Sequence, residues 1–136
     1  MTKICTTIEQ SQRLIELGID VHTADMHYHY DLDFDELEHI PTTTEEEPKE
    51  HFVLFPEDVP CWSLSALLEL IPPYLGEFKD GIDFGFSKAM NGKWYSAHYI
   101  QLDNSGLATF TKTVTGDTAI DAAFEMVCWL KENGMI

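Results

Sequence analysis

The sequence predicts an α+β fold, a mostly antiparallel sheet of four to five strands with three helices packed on one face. Three observations lead there. Apolar residues recur at helical spacing in three separate stretches, each opened by a capping residue. Other segments alternate polar and apolar residues, the signature of half-buried strands. Asn91-Gly92 stands between two such segments as a two-residue hairpin turn. With 136 residues and 44% hydrophobic content, the chain fits a single domain, 1–136, with one packed core. The expected order is α-β-(β)-α-β-β-β-α, with helices covering one side of the sheet.

Thr6-x-x-Glu9 reads as a capping box. Ile8, Leu14, Ile15 and Leu17 follow at helical spacing, and Gly18 is placed to end the helix, which predicts helix 1 over about 7–17. His27-Tyr28-His29-Tyr30-Asp31-Leu32-Asp33-Phe34-Asp35 then alternates without a break. As one strand it turns Tyr28, Tyr30, Leu32 and Phe34 to a core and His27, His29, Asp31, Asp33 and Asp35 to the other face. An acidic loop at about 36–50 follows, its 41–50 part rich in proline, threonine and acids with nothing to bury. The apolar run His51–Phe55 is expected to pair back on the first strand.

Ser63 is the natural N-cap of a second helix over Leu64–Ile71, stopped by Pro72-Pro73. Trp62 precedes the cap as a staple residue. A type I′ turn at Asn91-Gly92 sets Met90 opposite Lys93 and pairs Phe86 with Ala97, Phe84 with Tyr99 and Ile82 with Gln101. Ile82, Phe84, Phe86, Tyr95, Ala97 and Tyr99 then share the core face, because directly opposed residues do. Asp83, Gly85, Ser87, Trp94, Ser96 and His98 take the other. Leu107–Val114 reads as a further strand after a turn at Asn104-Ser105-Gly106. The last helix opens at Thr118-x-x-Asp121, buries Ile120, Ala123, Phe124, Val127 and Leu130, and ends at Gly134.

Eight basic residues against 24 acidic ones give a net charge of −16. Direct nucleic-acid binding needs clustered lysine and arginine, and Arg13 is the only arginine, so that class is excluded. The charge favours basic partners or cations instead. Residues 31–50 hold nine acids and one base, half the net charge in one segment. Cys5, Cys61 and Cys128 are odd in number and widely spaced, which argues against a disulfide framework or a structural zinc site. With no apolar leader and no run long enough to span a membrane, the expected location is cytoplasmic, with no membrane partner.

The His/Asp row is either a solvated acidic face or a set of metal ligands, and the sequence leaves both open. Imidazole and carboxylate together suit zinc, manganese or iron, and strand neighbours two apart lie about 7 Å apart on one face. His27, His29 and Asp31 are the metal candidates, with His22 or His51 as possible additions. Asp31-x-Asp33-x-Asp35 imitates a calcium loop but lacks its glycine and final glutamate, since Glu36 and Thr42 stand there. His98 near Ser87 and Ser96 reads as a surface strand histidine. No nucleophile elbow or phosphate loop occurs. Asp33, Asp35 and the outward Trp94 are the candidates for partner contact.

Cys5-Thr6-Thr7-Ile8-Glu9-Gln10-Ser11 with Leu17-Gly18-Ile19-Asp20, Thr23-Ala24-Asp25-Met26, Pro60 to Pro72, and Asp121 to Gly134 resemble segments of an uncharacterised family of small acidic proteins from gut bacteria, their phages and mobile elements. The resemblance spans nearly the whole chain, with Trp62-Ser63-Leu64-Ser65-Ala66-Leu67-Leu68 its most specific part. It implies an accessory or phage-borne role and brings no activity, cofactor or catalytic residue. From the net charge of −16, half of it in one segment, the expected function is a non-enzymatic binding protein whose acidic surface engages a basic protein partner, in one form by mimicking nucleic-acid charge. No cofactor is expected under that reading. The alternative is a metal-dependent enzyme built on the His/Asp row. A homo-oligomeric structural protein using Trp94 and the sheet face is a third possibility.

Overall fold

The first helix is capped by Thr7 rather than Thr6. In the computed structural model, which describes residues 3–31, 33–37, 42–43 and 57–136, α1 spans Ile8–Glu16. The Thr7 hydroxyl accepts from the Gln10 N–H at 3.1 Å, and the Gln10 side chain accepts from the Thr7 N–H at 3.0 Å. The expected capping box is displaced by one residue because Thr6 is engaged elsewhere. Thr6 is fully buried, donates its N–H to the Trp62 carbonyl at 2.9 Å and accepts the Trp62 N–H on its hydroxyl at 3.0 Å. At the other end Gly18 takes φ +90°, and the N–H groups of Gly18 and Ile19 donate to the Ile15 and Leu14 carbonyls. That is the glycine-terminated stop read from the sequence, with Ile19 and Leu14 joined in the same core.

The other two helices follow their expected caps. α2 spans Leu64–Leu70 with Ser63 accepting from the Ala66 N–H, while Asp25 accepts from the Ser63 N–H at 2.9 Å and holds the cap in place. α3 spans Ala119–Glu132 with Thr118 accepting from the Asp121 N–H. It ends at Asn133, with Gly134 at φ +68° and the Met135 N–H donating to the Leu130 carbonyl.

The main sheet is antiparallel throughout, in the order β6-β7-β8-β9: Tyr74–Leu75, Ile82–Lys88, Tyr95–Leu102 and Ala108–Gly116. Phe86 faces Ala97, Phe84 faces Tyr99 and Ile82 faces Gln101, the register expected from the turn. The turn itself differs. Gly92 alone has positive φ, its N–H donates to the Ala89 carbonyl, and the Asn91 side chain accepts from the Lys93 N–H. Asn91 thus acts through an Asx-type bond instead of a left-handed backbone, and the loop is longer than the two residues of a type I′ turn.

α3 lies against β8 and β9, and α2 packs on α3. Leu67, Ala97, Tyr99, Met126, Val127 and Leu130 are fully buried between these layers. Trp62 completes the core, its indole N–H donating to Thr23 Oγ1 at 2.9 Å. Truncating such a residue to alanine typically costs about 3–5 kcal/mol. α1 reaches α3 through Gln10 on Asp121 and Arg13 on Glu132, each bond 2.8–2.9 Å.

The long alternating strand expected over 27–35 is interrupted. β1 covers Met26–Tyr28 and sits between β4, Thr42–Thr43, and β5, Val59–Cys61. The chain then leaves that ladder for a small hairpin of β2, Tyr30–Asp31, and β3, Glu36–Leu37. Residues 33–35 form its turn, with Asp35 at φ 51° and accepting from the Tyr30 hydroxyl. Aspartate tolerates that left-handed geometry better than most residues. Alternation specifies faces but not where a strand ends, and the turn-forming aspartates end this one. Tyr28 is buried as expected, whereas Phe34 stands at the turn with 73% of its surface exposed. Leu32 and His51–Phe55 lie outside the described residues, as does most of the expected acidic loop. The described parts of that loop are the short strands β3 and β4.

Candidate metal centre

β1 and β5 pair with Met26 opposite Cys61, His27 opposite Pro60 and Tyr28 opposite Val59. His29 and Asp58 stand one position beyond the last of these pairs. Side chains alternate across a ladder, so Met26, Cys61, Tyr28 and Val59 share one face while His27, Pro60, His29 and Asp58 share the other. Burial follows the alternation: Met26, Tyr28 and Cys61 pack with Cys5 in a small core of their own. Pro60 is tolerated because β5 lies at the edge of its three-stranded sheet.

On the second face, one donor atom from each of His27, His29 and Asp58 lies within 4.8 Å of the other two. The imidazole rings stand 6.4 Å apart at 87°. His29 Nδ1 is 3.1 Å from Asp58 Oδ1, and the same oxygen accepts the Tyr30 N–H at 2.8 Å. The Asp58 side chain is 2% exposed and that of His29 42%, so the cluster is sealed at its base and open to water at one side. The Nδ1 atom of His27 is sealed from solvent. Donors on a tetrahedral ion bound at about 2.0–2.1 Å lie about 3.4 Å apart.

The structure brings His27 and His29, two of the three candidates, together on one face and sets Asp58 beside them. The Asp31 side chain and His51 lie outside the description. His22 is drawn to Asp20 at 3.0 Å on an exposed 3-10 turn, and it is not one of the three clustered residues. Asp58 carried no sequence signal, because it precedes a short strand interrupted by proline and joins the histidines only through tertiary pairing.

The partner-contact candidates are separate from this cluster. Asp33 and Asp35 are exposed in the β2–β3 turn on either side of Phe34, and Trp94 is 43% exposed beside the β7–β8 turn. His98 faces Gly85 across the ladder, 3.4 Å from the buried Ser96 hydroxyl and edge-on to Phe110. A Cβ at Gly85 would meet its Nε2 at 2.4 Å, so the glycine makes room for the ring. Burial holds the His98 pKa below its ordinary value, which keeps the ring neutral and packed. Elsewhere Pro72, Pro73, Tyr74, Leu75, Gly76 and Met135 line a groove of about 450 Å³ with a largely apolar wall. No helix among the described residues is long and apolar enough to cross a membrane. Compared with protein-family models, with curated proteins and with solved structures, the chain matches none.

Proposed function

We propose that the protein binds a divalent cation through His27, His29 and Asp58. The observation that carries this reading is the convergence of two imidazoles and one carboxylate within 4.8 Å on one face of the β1–β5 ladder. Two nitrogens and an oxygen suit zinc, iron(II) or manganese(II) better than calcium. Three protein ligands with a solvent-facing side leave room for water or a small ligand on the ion, the arrangement of reactive rather than purely structural sites. The strongly negative chain raises the local cation concentration.

Protein purified without a histidine tag and stripped with chelator is titrated with Zn²⁺, Mn²⁺ and Fe²⁺. One equivalent is expected to bind, and a hundredfold excess over Kd should add about 2.7 kcal/mol of stability. Asp58→Asn and His27→Ala should remove the tight equivalent while leaving weak binding by surface acids. Absence of any thermal shift, or equal binding by Asp58→Asn, ends this reading.

A second reading rests on charge and on one exposed ring. The Asp33-Phe34-Asp35 turn presents an aromatic side chain between two carboxylates on a chain of net charge −16. Such a tip suits a basic protein surface with an apolar notch, in an accessory role without catalysis. Binding to recovered partners should weaken steeply with salt and with Phe34→Ser. Partners that are not basic, or salt-insensitive binding, would count against it.

A further inference from the structure

We propose that Cys5 and Cys61, 56 positions apart, are a redox-active dithiol that closes to an intramolecular disulfide when a hydroperoxide reaches it. The two residues pack in one small core with Met26 and Tyr28, Cys5 3% exposed and Cys61 fully buried. Their backbones run side by side, fixed by the Thr6 N–H on the Trp62 carbonyl and the Trp62 N–H on the Thr6 hydroxyl. The Tyr28 hydroxyl donates to the Thr6 carbonyl at 2.9 Å and lies 3.5 Å from Cys5 Sγ. The two Thr6–Trp62 bonds therefore hold the Cys5 segment beside Cys61 without using either sulfur.

The surroundings divide the two roles. Cys5 is drawn down, chiefly by the neighbouring Cys61 thiol, with Tyr28 assisting against the opposing effect of burial. Cys61 is pushed up by the same contact and by burial. Cys5, which keeps the residual exposure of the pair and has the Tyr28 hydroxyl 3.5 Å from its sulfur, is the nucleophile, and the fully buried Cys61 is the resolving thiol. The Cys5 thiolate attacks one peroxide oxygen and breaks the O–O bond. Cys5 becomes a sulfenic acid, and the departing oxygen takes a proton and leaves as water from hydrogen peroxide or as the alcohol from an alkyl hydroperoxide. Cys61 then attacks the Cys5 sulfur, gives up its proton and expels water. Two thiols lose two electrons and the peroxide gains them. Cys128 sits apart in α3, where burial pushes its thiol up to about 12, and it stays reduced.

Closure would staple the segment ahead of α1 onto β5. Wild-type protein is treated under native conditions with one equivalent of hydrogen peroxide, alkylated, and mapped without reduction. One cross-linked peptide joining Cys5 to Cys61 is expected, with Cys128 alkylated. Because the closed loop is long, the melting temperature should rise by about 10 °C and return on adding dithiothreitol. Cys128→Ser should behave as wild type. Cys61→Ser should accumulate a sulfenic acid at Cys5 that dimedone traps, and if that variant does not fold the wild-type map decides alone. Three alkylatable thiols after peroxide, a cross-link between two chains, or sulfinic acid at Cys5 without a bridge would overturn the proposal.

Discussion

Thr6→Val replaces a buried hydroxyl by a methyl group of nearly the same size, so packing is preserved and only hydrogen bonding changes. In the native protein that hydroxyl accepts the Trp62 N–H at 3.0 Å and pairs with the Ser11 hydroxyl at 2.8 Å. Ser11 keeps a second acceptor, the Thr7 carbonyl at 2.7 Å, and so loses little. The Trp62 N–H is left in a site where Thr6 and Trp62 are both fully buried. An orphaned buried donor costs about 1–3 kcal/mol, and the weakened Ser11 contact brings the expected loss to about 2–3 kcal/mol. That is a substantial part of the roughly 5–15 kcal/mol that holds a domain together. Thr6→Ser keeps the hydroxyl and gives up one methyl group, at a cost of about 1 kcal/mol. Urea unfolding followed by tryptophan fluorescence and circular dichroism should show the valine midpoint falling about twice as far as the serine midpoint, at unchanged slope. A valine variant within about 0.5 kcal/mol of wild type, or a serine variant that is the less stable of the two, would refute the anchoring role of this hydroxyl.

Three further outcomes follow from the same geometry. Gly85→Ala would place a Cβ 2.4 Å from His98 Nε2, so the ring must leave its site against Phe110; the histidine resonances should move and its pKa should rise toward 6.5 as it meets water. Burial lowers the His98 pKa in the folded state, so the unfolded chain binds the extra proton first; stability should be full above about 6.5 and decline as pH falls through that range, and His98→Asn should flatten the decline in pH-dependent melts. Gly18→Ala forces a Cβ into φ +90° at the end of α1 and should cost about 1 kcal/mol by chemical denaturation, whereas an alanine in the middle of an exposed turn of α1 should cost almost nothing.

What the sequence by itself determined is what short-range chemistry controls. The stops at Gly18 and Gly134 and the caps at Ser63 and Thr118 depend on atoms within a few positions of one another. The β7–β8 register was legible too, since the Asn91-Gly92 signal and the alternation on both sides allow one alignment of the apolar faces. The tertiary structure alone decided the rest. It moved the first cap from Thr6 to Thr7, because a fully buried bond to Trp62 outweighs an exposed cap. It broke the nine-residue alternation after Tyr28 and paired that strand with Val59–Cys61, where an internal proline hides the strand from any periodicity test. Asp58 joined His27 and His29, and Cys61 joined Cys5, through that same pairing. Periodicity and capping act over one or two turns of chain, while these contacts span 29 to 56 positions and form only once a ladder sets their register.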